Sequence, residues 1–367
     1  MSIACPPLLV NGVVIYARQL FMHLTCVYDS DMIEPRGTTI VELDKRASEP
    51  YEPYGIITAD CSNPHEVDDG IAVTPLPSAE ELYRVHVFAV DTSKLYKDDV
   101  ITQRVLTRTE SVYDDVGTKK EDYCPMLEPD MVQRLHFKKG TTRSALAISF
   151  IIGAFQPPAE VEIGFGRVEV LKNMNYAEFG RKCRYSDEYE PFGRVAALIM
   201  KHLHAPEDEE EKLYHGLIHV PPFETFRRGA NINQAYMVAA NHLVARTLRD
   251  EGDLAIYRTH DTTDNTSAEF ISPQVAHYST MPGAHHGLGL DVYSRVTSPL
   301  RRAEDFVMHG LLRARHEGRT LDTRDFRTVA TAIQRLNQRV VAHAFNGMLR
   351  IKDQDIWFRN DETTSQP

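Results

Sequence analysis

A mixed α/β (α+β) fold, with a β-sheet packed by helices, is what this sequence predicts, and three observations carry the expectation. Short β-branched runs bounded by turn residues (YGIITA, GIAVTPL, YRVHVFAV, ALAISFIIGAF) read as strands. Longer segments place apolar residues at helical spacing, as at Phe192, Val195, Ala196, Ile199 and Leu203. No repeat or low-complexity linker interrupts them. One domain over 51–350 is therefore expected, with a small segment of 1–50 before it and a polar tail of 351–367 after it.

Taken in order, residues 1–50 mix β-branched runs (LLVNGVVIYA, GTTIVEL) and read as a few strands, or a strand and a helix. From Gly55 to about Asp91 the pattern is strand, acidic turn, strand, loop, strand, a meander with its carboxylates at one end. Ala145–Phe155 suits a central buried strand, and GFGRVEVLKN is another, with Tyr176–Gly180 opening a helix. Helices are expected over Glu190–His204 and Ile232–Asp250; in the second, Ala235, Val238, Ala239, His242, Leu243 and Leu248 share a buried face. The acidic run Pro206–Lys212 reads as a solvated loop. Pro299 belongs in the first turn of a helix that Ser298 would cap and that ends near His316. A last helix spans about Asp325 to Met348, and the residues from 352 to 367 are polar enough to fray.

Composition narrows the class. Hydrophobic residues at 42% and charged residues at 25% are those of a soluble globular protein. No stretch approaches a membrane span, and Met1–Val10 lacks the basic start and apolar run of a secretory signal, so no membrane partner is expected. Five widely spaced cysteines without a CxxC pair argue against a disulfide framework or zinc knuckle and point to a cytoplasmic protein. A net charge of −11 speaks against a broad nucleic-acid-binding surface but leaves room for a narrow basic channel. Arginines do cluster, at Arg295, Arg301, Arg302, Arg313, Arg315 and Arg319. His285 and His286 have no further spaced zinc ligands, and the GLG and GFG runs lack the context of a dinucleotide site. Cys61 stands beside Asp60, whose charge makes it a poor nucleophile.

Two stretches carry chemistry. TADCSNPHEVDD places Asp60, Glu66, Asp68 and Asp69 on one turn between two buried strands. Carboxylates so crowded raise one another's pKa or splay into water unless a cation neutralises them, and hard oxygens on a short loop suit Mg²⁺. The second is Ser298-Pro299-Leu300-Arg301-Arg302, where a helix amino terminus and two forked guanidiniums match phosphate oxygens. A phosphodiester held between the two would have its charge neutralised from both sides, as in-line hydrolysis requires. Taken alone, the first stretch is as readily a solvated acidic turn, and the second is more readily an ordinary capped helix whose arginines pair with acids such as Glu304 and Asp305.

Together they resemble a family. DCSNPHEVDD is similar to the acidic signature of the RNB (ribonuclease II/R) exoribonucleases, and PGAHHGLGLDVYSRVTSPLRRAEDFVMH to their carboxy-terminal signature. VHVFAVDTS, TESVY, PML and MVAANHLVARTLRD fall between them in the family's order, so the resemblance runs from about Gly55 to about Leu349. It implies an RNB-type domain around a narrow RNA channel and Mg²⁺-dependent, hydrolytic 3′→5′ degradation of single-stranded RNA to nucleoside 5′-monophosphates, with Mn²⁺ as a substitute metal. Asp60, Asp68 and Asp69 then match metal-site aspartates, with Asp68 and Asp69 also catalytic, and Glu66 stands where the family usually has a fourth Asp. Arg301 matches the arginine that grips the scissile phosphate, beside Arg302 and Ser298. Tyr113 matches the aromatic that stacks on the terminal base.

Some positions depart from that pattern. Glu66 is one methylene longer than Asp. Gln234 and Ala235 replace an acidic residue at the start of the MVAANH helix, and the second stacking aromatic falls near His219, with Phe223 competing. The family's flanking RNA-binding modules have no counterpart in the 54 residues before Gly55 or after Leu349. Weak affinity and steep salt dependence are therefore expected, with a protein or RNA-delivery partner replacing the missing surfaces. The alternative is a catalytically weakened relative that binds RNA or a protein partner without cutting.

Overall fold

The computed structural model describes residues 8–10, 13–15, 54–62, 64–77, 81–113, 123–203, 229–260 and 276–360. Strand β1 (Leu8–Val10) pairs antiparallel with β2 (Val13–Ile15). The principal sheet comprises β3 (Tyr54–Asp60), β4 (Asp69–Pro75), β5 (Leu82–Val90), β6 (Thr142–Gly153) and β7 (Ala159–Asn175). Its strands are β-branched and apolar, and β6 is buried at every position from Ala145 to Gly153, as a central strand should be. Neighbours run antiparallel in chain order until β7 returns parallel to β3, which closes the sheet into a barrel. The expected mixed sheet is present, with no open edge.

The closure positions the acidic loop. β3 and β4 share only the Ile57↔Ile71 pairing, because the chain between them swings out from Asp60 and returns at Asp69. Gly70 permits that return: a Cβ there would lie 2.6 Å from Ile56 Cδ1.

Helices pack around the barrel: α1 (Ser93–Tyr96), α2 (Asp99–Arg108), α3 (Pro129–Leu135), α4 (Tyr176–Tyr185), α5 (Glu190–Leu203), α6 (Gly229–Glu251), α7 (Ala303–His316) and α8 (Thr323–Asn360). Local chemistry starts several of them. The Asp98 carboxylate accepts from the N–H groups of Val100 and Ile101, Asn175 from that of Glu178, and Pro129 opens α3. α6 is buried on most of its surface, with Ala235, Ala239, Ala240 and Ala245 letting neighbours approach, and it packs on α4 and α5. α7 is buried at every residue from Ala303 to Leu312. Gly310 is the closest approach in that packing: its missing Cβ would fall 2.3 Å from the Tyr96 ring of α1. A short hairpin, β8 (Tyr257–Thr259) with β9 (His277–Ser279), lies between α6 and α7 in sequence.

Two boundaries differ from expectation. α7 starts at Ala303 and not at Pro299, with Arg302 extended as its N-cap residue (φ −138°, ψ 129°), so Ser298 is not the cap. The cause is a competing set of bonds. Asp305 Oδ1 accepts from the Ser298 N–H at 2.7 Å and from Arg302 at 2.8 Å, Glu110 bridges Arg302, and the Ala303 N–H donates to the Thr109 carbonyl. Residues 298–302 are thereby held as a turn. α8 continues past Met348 to Asn360. The acidic run of 206–212, His219 and Phe223 lie outside the described residues. Among the described residues no helix is long and apolar enough to cross a membrane.

Candidate active site

The acidic loop and the arginine turn, more than 230 positions apart in sequence, meet at Asp68. Asp68 is buried; its Oδ1 accepts from the Leu300 N–H at 2.8 Å and its Oδ2 from Arg301 Nε at 3.2 Å. Arg301 is further fixed by a bond from Nη2 to Ser298 Oγ at 2.9 Å, so Ser298 orients the guanidinium where it was expected to cap a helix. Arg302 pairs with Asp305 at 2.8 Å.

The four carboxylates divide into three environments. Asp60 and Asp69 line a cavity of about 380 Å³ together with Tyr176, Asn233, Gln234 and Arg301. The Asn233 amide donates to Asp69 Oδ2 at 3.0 Å, while Gln234 is exposed at the cavity margin. Arg258, Arg295 and Arg302 line the same cavity, making one part of its wall basic. Asp68 is committed to the arginine turn. Glu66, also buried, points to a third place: its Oε1 accepts from Ser111 Oγ at 2.7 Å and Tyr123 Oη at 2.6 Å, and its Oε2 from Tyr113 Oη.

Electrostatics follow burial. Desolvation, then Asp69 and Asp68, push Asp60 up to about 8. Desolvation raises Asp69, with Asn233, Arg301 and Arg302 opposing it. Asp68 is pushed up to about 7 by desolvation, against the pull of Arg301. Desolvation first and Glu66 second hold the Tyr113 and Tyr123 phenols well above their ordinary range, so both remain donors.

This donor arrangement fits a hard cation in part. Two carboxylates on one cavity wall, both penalised by burial and Asp60 also by Asp69, are what a divalent ion relieves. The Glu66 oxygens do not fit, since three hydroxyls already occupy them. Among the described residues no three His, Cys, Asp or Glu side chains converge as a metal cage.

A wall of rings borders the loop. His65 stacks on Tyr123 at 4.1 Å between centroids and 10° between planes, and Tyr123 on Tyr113 at 5.6 Å. Reciprocal backbone bonds between Val112 and Cys124 set the two tyrosines side by side. Tyr113 is 42% exposed, so its ring has a free surface. His65, Ser111, Tyr123, Asn233 and Arg258 were not expected from sequence. Helical phase did contain a signal for Asn233, which shares a face with Tyr236 and Ala240 and is buried with them.

The profile of the RNB domain matches residues 51–274 and 270–317. The chain belongs to the RNB family. Exoribonuclease 2 of an Enterobacter species is 32% identical across 26% of this chain and 22% of its own length, so the chain spans well under half of that RNB relative. Mycoplasma genitalium RNase R in complex with ribose-methylated single-stranded RNA superposes with a TM-score of 0.63 at 15% identity, over 92% of this chain and 64% of that one. Yeast Ssd1, a pseudonuclease, superposes with a TM-score of 0.59 at 14% identity, over 78% and 42%. These two likenesses show that the RNB fold serves both an RNA-bound RNase and a protein described as no nuclease.

Proposed function

We propose that this RNB protein is a Mg²⁺-dependent hydrolytic 3′→5′ exoribonuclease acting on single-stranded RNA. The observation that supports it most is the junction of Asp68 with Leu300 and Arg301 beside the cavity lined by Asp60 and Asp69. Asp60 and Asp69 would hold the cation, which when bound neutralises phosphate charge and favours water as the attacking group. Arg301, fixed by Asp68 and Ser298 yet 39% exposed along its side chain, offers its remaining donors to a phosphate entering the cavity. Gln234 at the cavity margin would meet the terminal nucleotide, and the exposed Tyr113 ring would give a base a sequence-tolerant stacking surface. Arg302 supports the turn through Asp305.

The test is Asp68→Asn, which removes the charge that orients Arg301 without changing size. Shortening of a 5′-labelled single-stranded RNA should fall at least about 100-fold, with RNA affinity largely kept. Full activity in the variant would refute the assignment. A second reading, binding without cleavage, is favoured by the committed oxygens of Glu66 and Asp68. RNA left intact in Mg²⁺ by the unaltered protein, with binding retained, would establish it over the first.

A further inference from the structure

Glu66 occupies a position in the acidic loop that reads as a metal ligand, yet its surroundings specify another task. A carboxylate offers about four acceptor positions on its two oxygens. Three hydroxyls from two paired segments take three of them: Ser111 and Tyr123 on Oε1, Tyr113 on Oε2. Each hydroxyl is itself placed. Ser111 Oγ accepts from the Met126 N–H at 2.9 Å, and the Ser111 N–H donates to the Arg301 carbonyl at 3.0 Å. The tyrosines are held by the Val112–Cys124 pairing and by stacking with each other and His65. Glu66 is 5% exposed and is not part of the wall that Asp60 and Asp69 give to the cavity.

We propose that Glu66 is a positioning residue that pins the ring wall of His65, Tyr123 and Tyr113 against the arginine turn, and that it contributes no oxygen to a bound cation. The inference rests on the exoribonuclease reading for the wall's use as a base platform. The link through Ser111 to the Arg301 backbone then sets the distance between the ring that receives a base and the guanidinium that receives its phosphate. A positioning carboxylate has to reach the hydroxyls; its charge is secondary, since a phenol can accept from an amide as readily as donate to a carboxylate. A ligand to a cation has the opposite requirement.

Two substitutions therefore give crossed outcomes. Glu66→Gln keeps the length and loses the charge; Glu66→Asp keeps the charge and loses the reach. Mn²⁺ affinity is measured by calorimetry on the full chain. Stacking is measured in EDTA as quenching of a single-stranded RNA carrying 2-aminopurine at its 3′ end. We expect Glu66→Gln to hold Mn²⁺ within about tenfold of the unaltered protein and to keep most of the quench. Glu66→Asp should lose at least half the quench, and Tyr123→Phe, which deletes one donor and leaves the carboxylate alone, should lose part of it. Circular dichroism identifies any variant that has unfolded, and Tyr123→Phe then carries the stacking arm.

A loss of Mn²⁺ affinity greater than about 100-fold in Glu66→Gln would overturn the proposal. So would an undiminished quench in both Glu66→Asp and Tyr123→Phe, or an unaltered protein that does not quench the probe. An unaltered protein that quenches the probe but does not shorten RNA in Mg²⁺ would overturn the exonuclease reading and leave the positioning role of Glu66 standing.

Discussion

Replacing Asp60 with Asn should stabilise the protein, and the size of the gain should depend on pH. Burial, reinforced by Asp69 and Asp68, pushes Asp60 from 3.8 up to about 8. Below about pH 4 the carboxyl is protonated in both the folded and the unfolded chain, so it costs nothing. Between about pH 4 and 8 only the folded chain keeps the proton; the unfolded chain binds fewer, and stability falls as pH rises. Above about pH 8 the penalty is complete. At about 1.4 kcal/mol per pKa step the full window is worth on the order of 5 kcal/mol. The group lies at the edge of a cavity that water enters, and screening there reduces the expected gain to about 2–4 kcal/mol. Urea denaturation in EDTA at about pH 8 should show Asp60→Asn more stable by that amount, with the difference closing toward about pH 4. Mg²⁺ should then stabilise the unaltered protein more than the variant, because the ion relieves the repulsion that the substitution has already removed. An Asp60→Asn variant no more stable at about pH 8, or a gain that is the same at every pH, would refute the argument that this carboxylate is held at a cost.

Two further substitutions test the packing that presents the site. In Gly310→Ala the new methyl would fall 2.3 Å from the Tyr96 ring, so unfolding in urea should show a loss of about 1–3 kcal/mol; no loss would mean that α1 can retreat from α7. Arg313 binds the buried Asp91 at 2.8 Å and lies 3.6 Å over the Phe165 ring, so Arg313→Met strands a carboxylate and should cost about 3–5 kcal/mol by the same measurement. A loss below about 1 kcal/mol would show that Asp91 escapes to water.

The strands were legible in sequence because β-branched runs bounded by turns specify them locally, and α5 and α6 because their apolar spacing is regular. Closure of the barrel was not, since a parallel return of β7 onto β3 is a long-range pairing with no local mark. The same distinction holds at the site. Asp60, Asp68, Asp69 and Arg301 announce themselves by clustering and by family resemblance. Tyr123 becomes a neighbour of Glu66 only through the Val112–Cys124 pairing, and nothing in DYCPML marks it. The start of α7 was misplaced for a related reason. Ser298 followed by proline is a sound local signal for a helix amino terminus, but Asp305, seven residues on, competes for the Ser298 N–H and delays the helix to Ala303.

That delay has a chemical consequence. Had the helix begun at Pro299, Arg301 would have projected from a regular first turn with its guanidinium free to sample many rotamers. In the turn, the Leu300 N–H and Arg301 Nε both reach Asp68, and Nη2 reaches Ser298, so two edges of the guanidinium are fixed from within the protein. Asp68 is 2% exposed along its side chain and Arg301 39%, so the pair is oriented with its negative end inward and its positive end toward the cavity. On the proposed reading a phosphate arriving there would meet a donor whose conformational entropy is already spent, with the field of Asp68 partly shielded by the arginine in front of it. On that reading Asp68 would act on a phosphate mainly through the orientation of Arg301, whereas Asp60 and Asp69 line the cavity themselves. One acidic stretch supplies both the anchor for the cation that the chain carries in Arg301 and the carboxylates for a cation that it would have to bind.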